Sequence, residues 1–324
     1  MRGPRARHHD VGGALLPVRL LVLRALGLGD ALTGLPALRG LRRAWPGARV
    51  VLATGPAAGG LLRRAGVVDE VVPAGEDLAP LAWTGDGHVA VNLHGRGPRS
   101  HRLLLATRPA RLVAFAHPDV PGVPGPAWDE REHEVRRWAR LVPSYELDPA
   151  DLLLPPAQDA PAVEGAVVVH PGAAYAARRW PAERFAAVAR ALASEGRRVV
   201  VTGSAPERPL AEEVARGLGP GAVLAGALDL PGMVALLQSA ALVVVGDTGV
   251  GHLATACGAP AVHLFGPEPP GRWAPLVHPE RHAVLWHGVE GVDTGGGGRA
   301  GVPDPLTLRI TVDEVLAAAR RLLP

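Results

Sequence analysis

The chain has 324 residues, 48% of them hydrophobic, enough to bury the cores of two domains of ordinary size. All 34 basic side chains are arginine, none is lysine, and the formal net charge is only +3. That near-balance argues against a nucleic-acid-binding role, and an arginine-for-lysine habit in an Ala-, Gly- and Pro-rich chain reads as the mark of a GC-rich genome.

Arg2, Arg5 and Arg7 precede an apolar stretch, as in a secretory leader. Arg19 and Arg24 interrupt it, and no run reaches the roughly 20 uncharged residues of a membrane helix. Residues 1–16 therefore read as an extension and 18–23 as a first strand. The spacing of Leu32, Leu35, Leu38 and Leu41 predicts a helix over 30–44. A strand at 49–53, a helix at 59–65, and strands at 68–72 and 88–93 follow. Residues 100–106 read as a helix and 111–115 as a strand. A Pro/Gly-rich stretch at 118–126 precedes a long charged helix predicted over 129–141, and 155–161 has the composition of a linker.

The alternation then restarts: strand 166–170, helix 181–195, strand 197–202, helix 207–217, short strand 222–224, helix 230–240. Residues 242–245 form a continuous apolar run, as expected of a strand buried on both faces of a parallel sheet. Gly246-Asp247-Thr248-Gly249 breaks it, a helix follows at 252–257, and 261–265 is the next strand. A Gly-rich loop at 291–301 precedes a closing helix at 312–323. Two doubly wound α/β domains, 1–158 and 162–324, with a cleft between them, are the expected organisation. The lone Cys257 excludes an intramolecular disulfide and suits a reducing compartment such as the cytoplasm.

Chemistry concentrates where a strand gives way to a helix, the edge at which open α/β sheets bind ligands and phosphates in particular. Asp30 follows the turn of Gly27 and Gly29; it reads either as a helix N-cap or as a general base facing the cleft. Arg178 and Arg179, on a Gly/Ala-rich loop after strand 166–170, read either as solvated loop arginines or as a clamp for a diphosphate. Gly203 and Ser204 make a second such mouth, where Glu207 is either an ordinary first-turn acid or an acceptor for ribose hydroxyls. Asp247, Thr248 and the amides of residues 249–251 stand at the third. His252 is a buried helix histidine or a polar group beside the phosphates. Residues 249–254 formally match a dinucleotide fingerprint, but no acidic residue ends the next strand, so that reading is set aside. No Asp-x-Asp pair and no clustered His/Cys spacing occurs, so no metal site is expected.

Taken together, "GDALTGLPAL", "HPGAAYAARRWPAERF" and "GDTGVGHLATACGAPAVHLFGP" resemble glycosyltransferase family 9, the heptosyltransferases of lipopolysaccharide core assembly, over roughly residues 18–323. Smaller matches are "NLHGRGPRS" and the helix around His133–Arg140. The resemblance implies a GT-B fold, two facing Rossmann-like domains, with Asp30 as catalytic base. It implies donor contacts from Arg178, where the family usually has lysine, and from Ser204, Glu207, Leu228, Asp247, Thr248, Gly249 and His252. It implies an inverting, metal-independent transfer of a heptose or related sugar from a nucleotide-diphosphate donor, ADP-linked in the family, to a glycan or small-molecule hydroxyl. An envelope acceptor would bring the protein to the inner membrane surface, where Arg39, Arg42 and Arg43 would meet anionic lipid; the same arginines also suit a helix C-terminus. Two alternatives stay open: a nucleotide-sugar 2-epimerase of the same fold, and a non-catalytic nucleotide-sugar-binding paralogue.

Overall fold

The structure is a computed structural model that describes residues 18–291 and 301–323. The predicted extension 1–16 with Arg2, Arg5 and Arg7, and most of the Gly-rich loop 291–301, lie outside the described residues.

The first half contains β1 (Arg19–Leu23), α1 (Leu28–Thr33), α2 (Leu35–Ala44), β2 (Arg49–Thr54), α3 (Pro56–Arg64), β3 (Glu70–Pro73), β4 (Val89–Asn92), α4 (Arg99–Leu105), β5 (Arg111–Val113) and α5 (Glu134–Ala139). The second contains β6 (Val167–His170), α6 (Ala182–Ser194), β7 (Val199–Val201), α7 (Arg208–Val214), α8 (Leu230–Gln238), β8 (Leu242–Gly246), α9 (Gly249–Ala256), β9 (Ala261–Leu264), α10 (Pro270–Trp273), β10 (His282–Leu285), α11 (Pro305–Arg309) and α12 (Val312–Leu322).

Each half builds one all-parallel five-stranded sheet, in the orders β3-β2-β1-β4-β5 and β10-β9-β8-β6-β7. In the first, the chain leaves β1 toward β2 and β3, then crosses to β4 on the other side. The second repeats this pattern once the single bridge Val201↔Val223 is taken as a vestigial strand beyond β7. Both sheets therefore reverse direction beside their first strand, at β1/β4 and β6/β8, and a crevice opens at the carboxyl ends there. The two reversal points face each other. Glycine makes the approach of α1 and α9 possible: a Cβ on Gly249 would lie 3.2 Å from Gly29 N, and one on Gly29 would lie 2.6 Å from His252 Cδ2. One apolar cluster runs across both halves, joining Leu32, Leu35 and Leu38 to Val234, Leu237 and Leu253.

Several expectations needed correction. The helix predicted over 30–44 begins at Leu28 and breaks at Gly34, because Pro36 has no amide to continue the ladder and the Arg24 side chain packs against Gly34. The helix predicted over 129–141 is confined to α5. The carbonyls of Asp129, Glu130 and Glu132 all accept from Arg137 Nη2, so this segment wraps around a side chain instead of coiling. The strand expected at 222–224 is reduced to the single bridge. The strand expected at 68–72 lies over Glu70–Pro73. The helix expected from residue 252 already starts at Gly249. β10 and α11 carried no periodic signal and were not anticipated.

Candidate functional site

The crevice encloses a cavity of about 610 Å³ lined from both halves. The first half supplies residues 26–30 and Glu76; the second supplies the loop after β6, Glu207, the turn after β8, and Glu268, Arg272 and Trp273. Of the residues singled out from the sequence, Asp30, Arg178, Glu207, Asp247, Thr248, Gly249 and His252 come together here.

Asp30 is not the helix cap. Gly27 holds the cap position of α1 and makes no side-chain cap bond; Asp30 is the third helical residue. Its carboxylate is 30% exposed, lines the cavity, and lies 3.7 Å from Arg24 Nη2. Arg24 is the residue that sequence reasoning missed. Its guanidinium is 1% exposed and donates to the carbonyls of Asp30 and Leu93 and, at 2.8 Å, to Thr33 Oγ1. It stacks on the Trp138 ring at 4.6 Å and lies 3.7 Å from Glu134, which also pairs with Arg137 and accepts from Trp138 Nε1. A fully buried ion network thus fixes the start of α1 from behind. The only hint in the sequence was an arginine directly after an apolar strand.

Arg178 and Arg179 separate clearly. Arg179 closes its own loop, donating twice to Ala173 O at 2.9 and 2.7 Å. Arg178 ends a 3₁₀ turn over Ala176–Arg178 and points into the cavity, 3.3 Å from Asp247 and 3.7 Å from Glu268. Trp180 and Arg184 of the same motif serve the fold, donating to Ile310 O and to Leu308 and Ile310 O. Burial, reinforced by Asp30, pushes the Asp247 carboxyl above its usual range against the pull of Arg178. The His252 ring sits between Gly29 and Trp273, at 5.7 Å from the indole, and burial lowers its pKa to about 4, so it is neutral near pH 7. Glu207 belongs to both readings. Its Oε2 accepts from the amide and hydroxyl of Ser204 in a capping box, yet the carboxylate lines the cavity. Burial opposes its charge, but those two Ser204 bonds, with His170 and Arg179, hold it below the ordinary carboxylate range.

Two expected donor residues are not on the cavity wall. Ser204 faces Glu207 in the capping box, and Leu228 packs against the apolar cluster shared by the halves. The "NLHGRGPRS" segment proves structural: buried Asn92 donates to Gly95 O and Ser100 Oγ. His133 caps α5 through Nδ1 and reaches Ala274 O through Nε2, tying the two halves together. The Arg39–Arg43 patch, expected to meet anionic lipid, also makes bonds within the fold, while the Arg43 side chain stays 54% exposed. Arg39 donates to the carbonyls of Asp151 and Leu153, Arg42 to Val67 O and Asp69, and Arg43 to Asp151. Each carbonyl or carboxylate partner lies on a neighbouring segment that α2 packs against, so these arginines stitch the fold. Cys257 is mostly buried, and burial pushes its thiol up to about 12. Among the described residues no group of three or more His, Cys, Asp or Glu is arranged to hold a metal ion, and no helix is long and apolar enough to cross a membrane.

Comparison with known proteins places these features in context. Residues 139–289 match the model of glycosyltransferase family 9 (heptosyltransferase). The lipopolysaccharide heptosyltransferase 2 of Salmonella typhimurium is 35% identical over 136 residues, which is 39% of this chain and 39% of that protein. The chain thus aligns with about two fifths of the length of that relative. The fold extends further. A family 9 glycosyltransferase structure from Veillonella parvula superposes with a TM-score of 0.76 at 20% identity, covering 96% of this chain and 99% of that one. The Escherichia coli heptosyltransferase WaaC with ADP gives 0.72 at 20% identity, covering 94% and 100%. The architecture is the GT-B fold of those structures.

Proposed function

On the match of residues 139–289 to glycosyltransferase family 9, we propose that the chain is a member of that family and moves a heptose or related sugar from an ADP-linked donor to a hydroxyl of a glycan or small-molecule acceptor. The transfer is inverting and metal-independent. One observation carries the reading: a single cavity is lined by a first-half carboxylate, Asp30, and by a second-half arginine and helix start, Arg178 with Thr248 and Gly249. ADP and heptose enter from the relatives, one of which is a heptosyltransferase seen with ADP.

In this reading the acceptor oxygen bonds the anomeric carbon as Asp30 takes its proton. The bond from that carbon to the donor phosphate breaks on the opposite face, which inverts the centre. The electron pair leaves on the diphosphate, where Arg178 and the first amides of α9 meet the growing charge. His252, neutral near pH 7, offers a ring nitrogen without adding charge. A binding protein without catalysis has no need of Asp30 beside the acceptor.

The test is calorimetry with ADP, UDP and GDP. ADP should bind, and binding to none of the three would sink the reading. Arg178→Ala should weaken ADP by about 1.5–3 kcal/mol, the worth of hydrogen bonds to a charged group. Unchanged affinity would remove Arg178 from the donor site. Metal independence rests on the absence of an Asp-x-Asp pair in the sequence. Transfer should survive excess EDTA, and activity lost to EDTA but restored by Mg²⁺ or Mn²⁺ would count directly against the mechanism.

A further inference from the structure

Buried polar atoms without partners cluster at this cavity. Among the described residues, eight buried side-chain atoms make no hydrogen bond; Arg178 Nε, Thr248 Oγ1, Arg272 Nε and Trp273 Nε1 belong to residues that line this cavity, beside one acceptor, Asp247 Oδ2, and the other three, on Trp128, Arg137 and His282, lie elsewhere. Of the four potential donors at the cavity, the Thr248 hydroxyl is the one that can also accept. The two Arg Nε atoms and the indole Nε1 are obligate donors. Buried donors are nearly always satisfied in a complete structure, so their convergence on one cavity points to an absent acceptor-rich ligand. Arg272 and Trp273 belong to α10 and had no role in the reading above.

Glu268 shows how that ligand fits. One carboxylate oxygen lies 3.7 Å from Arg178 Nη2, and the other lies 3.6 Å from Arg272 Nη1. A single small anion therefore already spans both guanidiniums. Charge argues the same way. Arg178 also faces Asp247, so it has two carboxylates near it before any donor arrives. One arginine in that position cannot by itself offset a multiply charged diphosphate.

We propose that Arg272 is the second arm of a two-arginine clamp for the diphosphate, with Trp273 Nε1 as an additional donor and Glu268 as the placeholder that the diphosphate displaces. This rests on the nucleotide-diphosphate reading and deepens it. A diphosphate brings more charge and more acceptor oxygens than a monophosphate, so it meets both guanidiniums and the Trp273 donor at once.

The probe is inorganic pyrophosphate, which is independent of the base and sugar, titrated calorimetrically beside orthophosphate and ADP. The parent should bind pyrophosphate and ADP, and orthophosphate more weakly. Arg272→Gln should weaken both pyrophosphate and ADP by roughly tenfold, the lower end for a charged hydrogen bond. It should leave thermal stability unchanged, because among the described residues the side chain's only ion pair is a long one to Glu268, 3.6 Å away. Glu268→Gln removes the competing carboxylate and should tighten pyrophosphate several-fold. If Arg272→Gln binds pyrophosphate like the parent while Arg178→Ala does not, the clamp has one arm and the proposal is overturned with the donor reading intact. If Glu268→Gln loosens binding, Glu268 is no placeholder. If the parent binds neither pyrophosphate nor any nucleoside diphosphate, the donor reading itself fails.

Discussion

Asp30→Asn should lower the rate of sugar transfer by about 10²–10⁴, the usual worth of general-base catalysis, with donor affinity changed by less than about twofold. The asymmetry follows from where Asp30 sits. It is the third residue of α1 in the first half, whereas Arg178, Asp247, Thr248 and Gly249 all belong to the second. Asparagine keeps the size and polarity of the side chain but cannot take the acceptor's proton. It also leaves the local fold intact, because the helix cap is Gly27 and the Arg24 network holds the Asp30 backbone carbonyl, which the substitution retains. Single-turnover transfer measured with saturating donor separates the two quantities. Transfer at the parent rate would make Asp30 a bystander and move the base elsewhere in the cavity wall, where Glu76 is the other first-half carboxylate.

Arg24→Met should cost about 3 kcal/mol of stability and depress transfer as well. Arg24 is buried with Glu134 and Trp138, and its guanidinium satisfies the carbonyls of Asp30 and Leu93. Methionine fills most of the volume but takes the guanidinium from the Leu93 carbonyl and from the Asp30 carbonyl, which keeps Thr33 Oγ1 and the Gly34 amide. Removing one partner of a buried ion pair typically costs 3–5 kcal/mol; the low end applies because Arg137 still faces Glu134. The loss should appear as a lowered midpoint in urea with the slope unchanged. Arg24→Lys should recover only part of it, since an ammonium cannot reproduce the planar fork that reaches two carbonyls and a hydroxyl. An unchanged midpoint for Arg24→Met would show that the network adds nothing to stability. Transfer in the same variant reports the positioning role: with the start of α1 loosened, the Asp30 carboxylate loses its fixed aim even though no reacting atom is touched.

The sequence by itself determined the layers and the location of the chemistry. Apolar runs such as residues 242–245 can only be strands buried on both faces, and their alternation with helices demands parallel sheets with crevices at the carboxyl ends. Glycine punctuation after β1, β6, β7 and β8 marked four loops where ligand chemistry was expected; those after β1, β6 and β8 line the cavity, and the one after β7 reaches it only through Glu207. These are local signals, set by backbone sterics and by period, so one chain segment carries them. What the tertiary structure decided was every choice between a local use and a shared one. Arg178 and Arg179 are adjacent and alike in sequence; only folding shows one bonded to Ala173 O and the other facing Asp247 and Glu268. Asp30 could be an N-cap or a cleft-facing acid until Gly27 took the cap position. Arg39, Arg42 and Arg43, read from the sequence as a patch for anionic lipid, also bond Asp151, Leu153, Val67 and Asp69, which lie 25 to 114 residues away. Arg24, Glu134 and Trp138, and likewise Arg272 and Glu76, gain meaning only when distant segments close around them. A charged side chain takes its role from whatever desolvates and pairs it, and that environment is assembled by the fold, not written beside it in the chain.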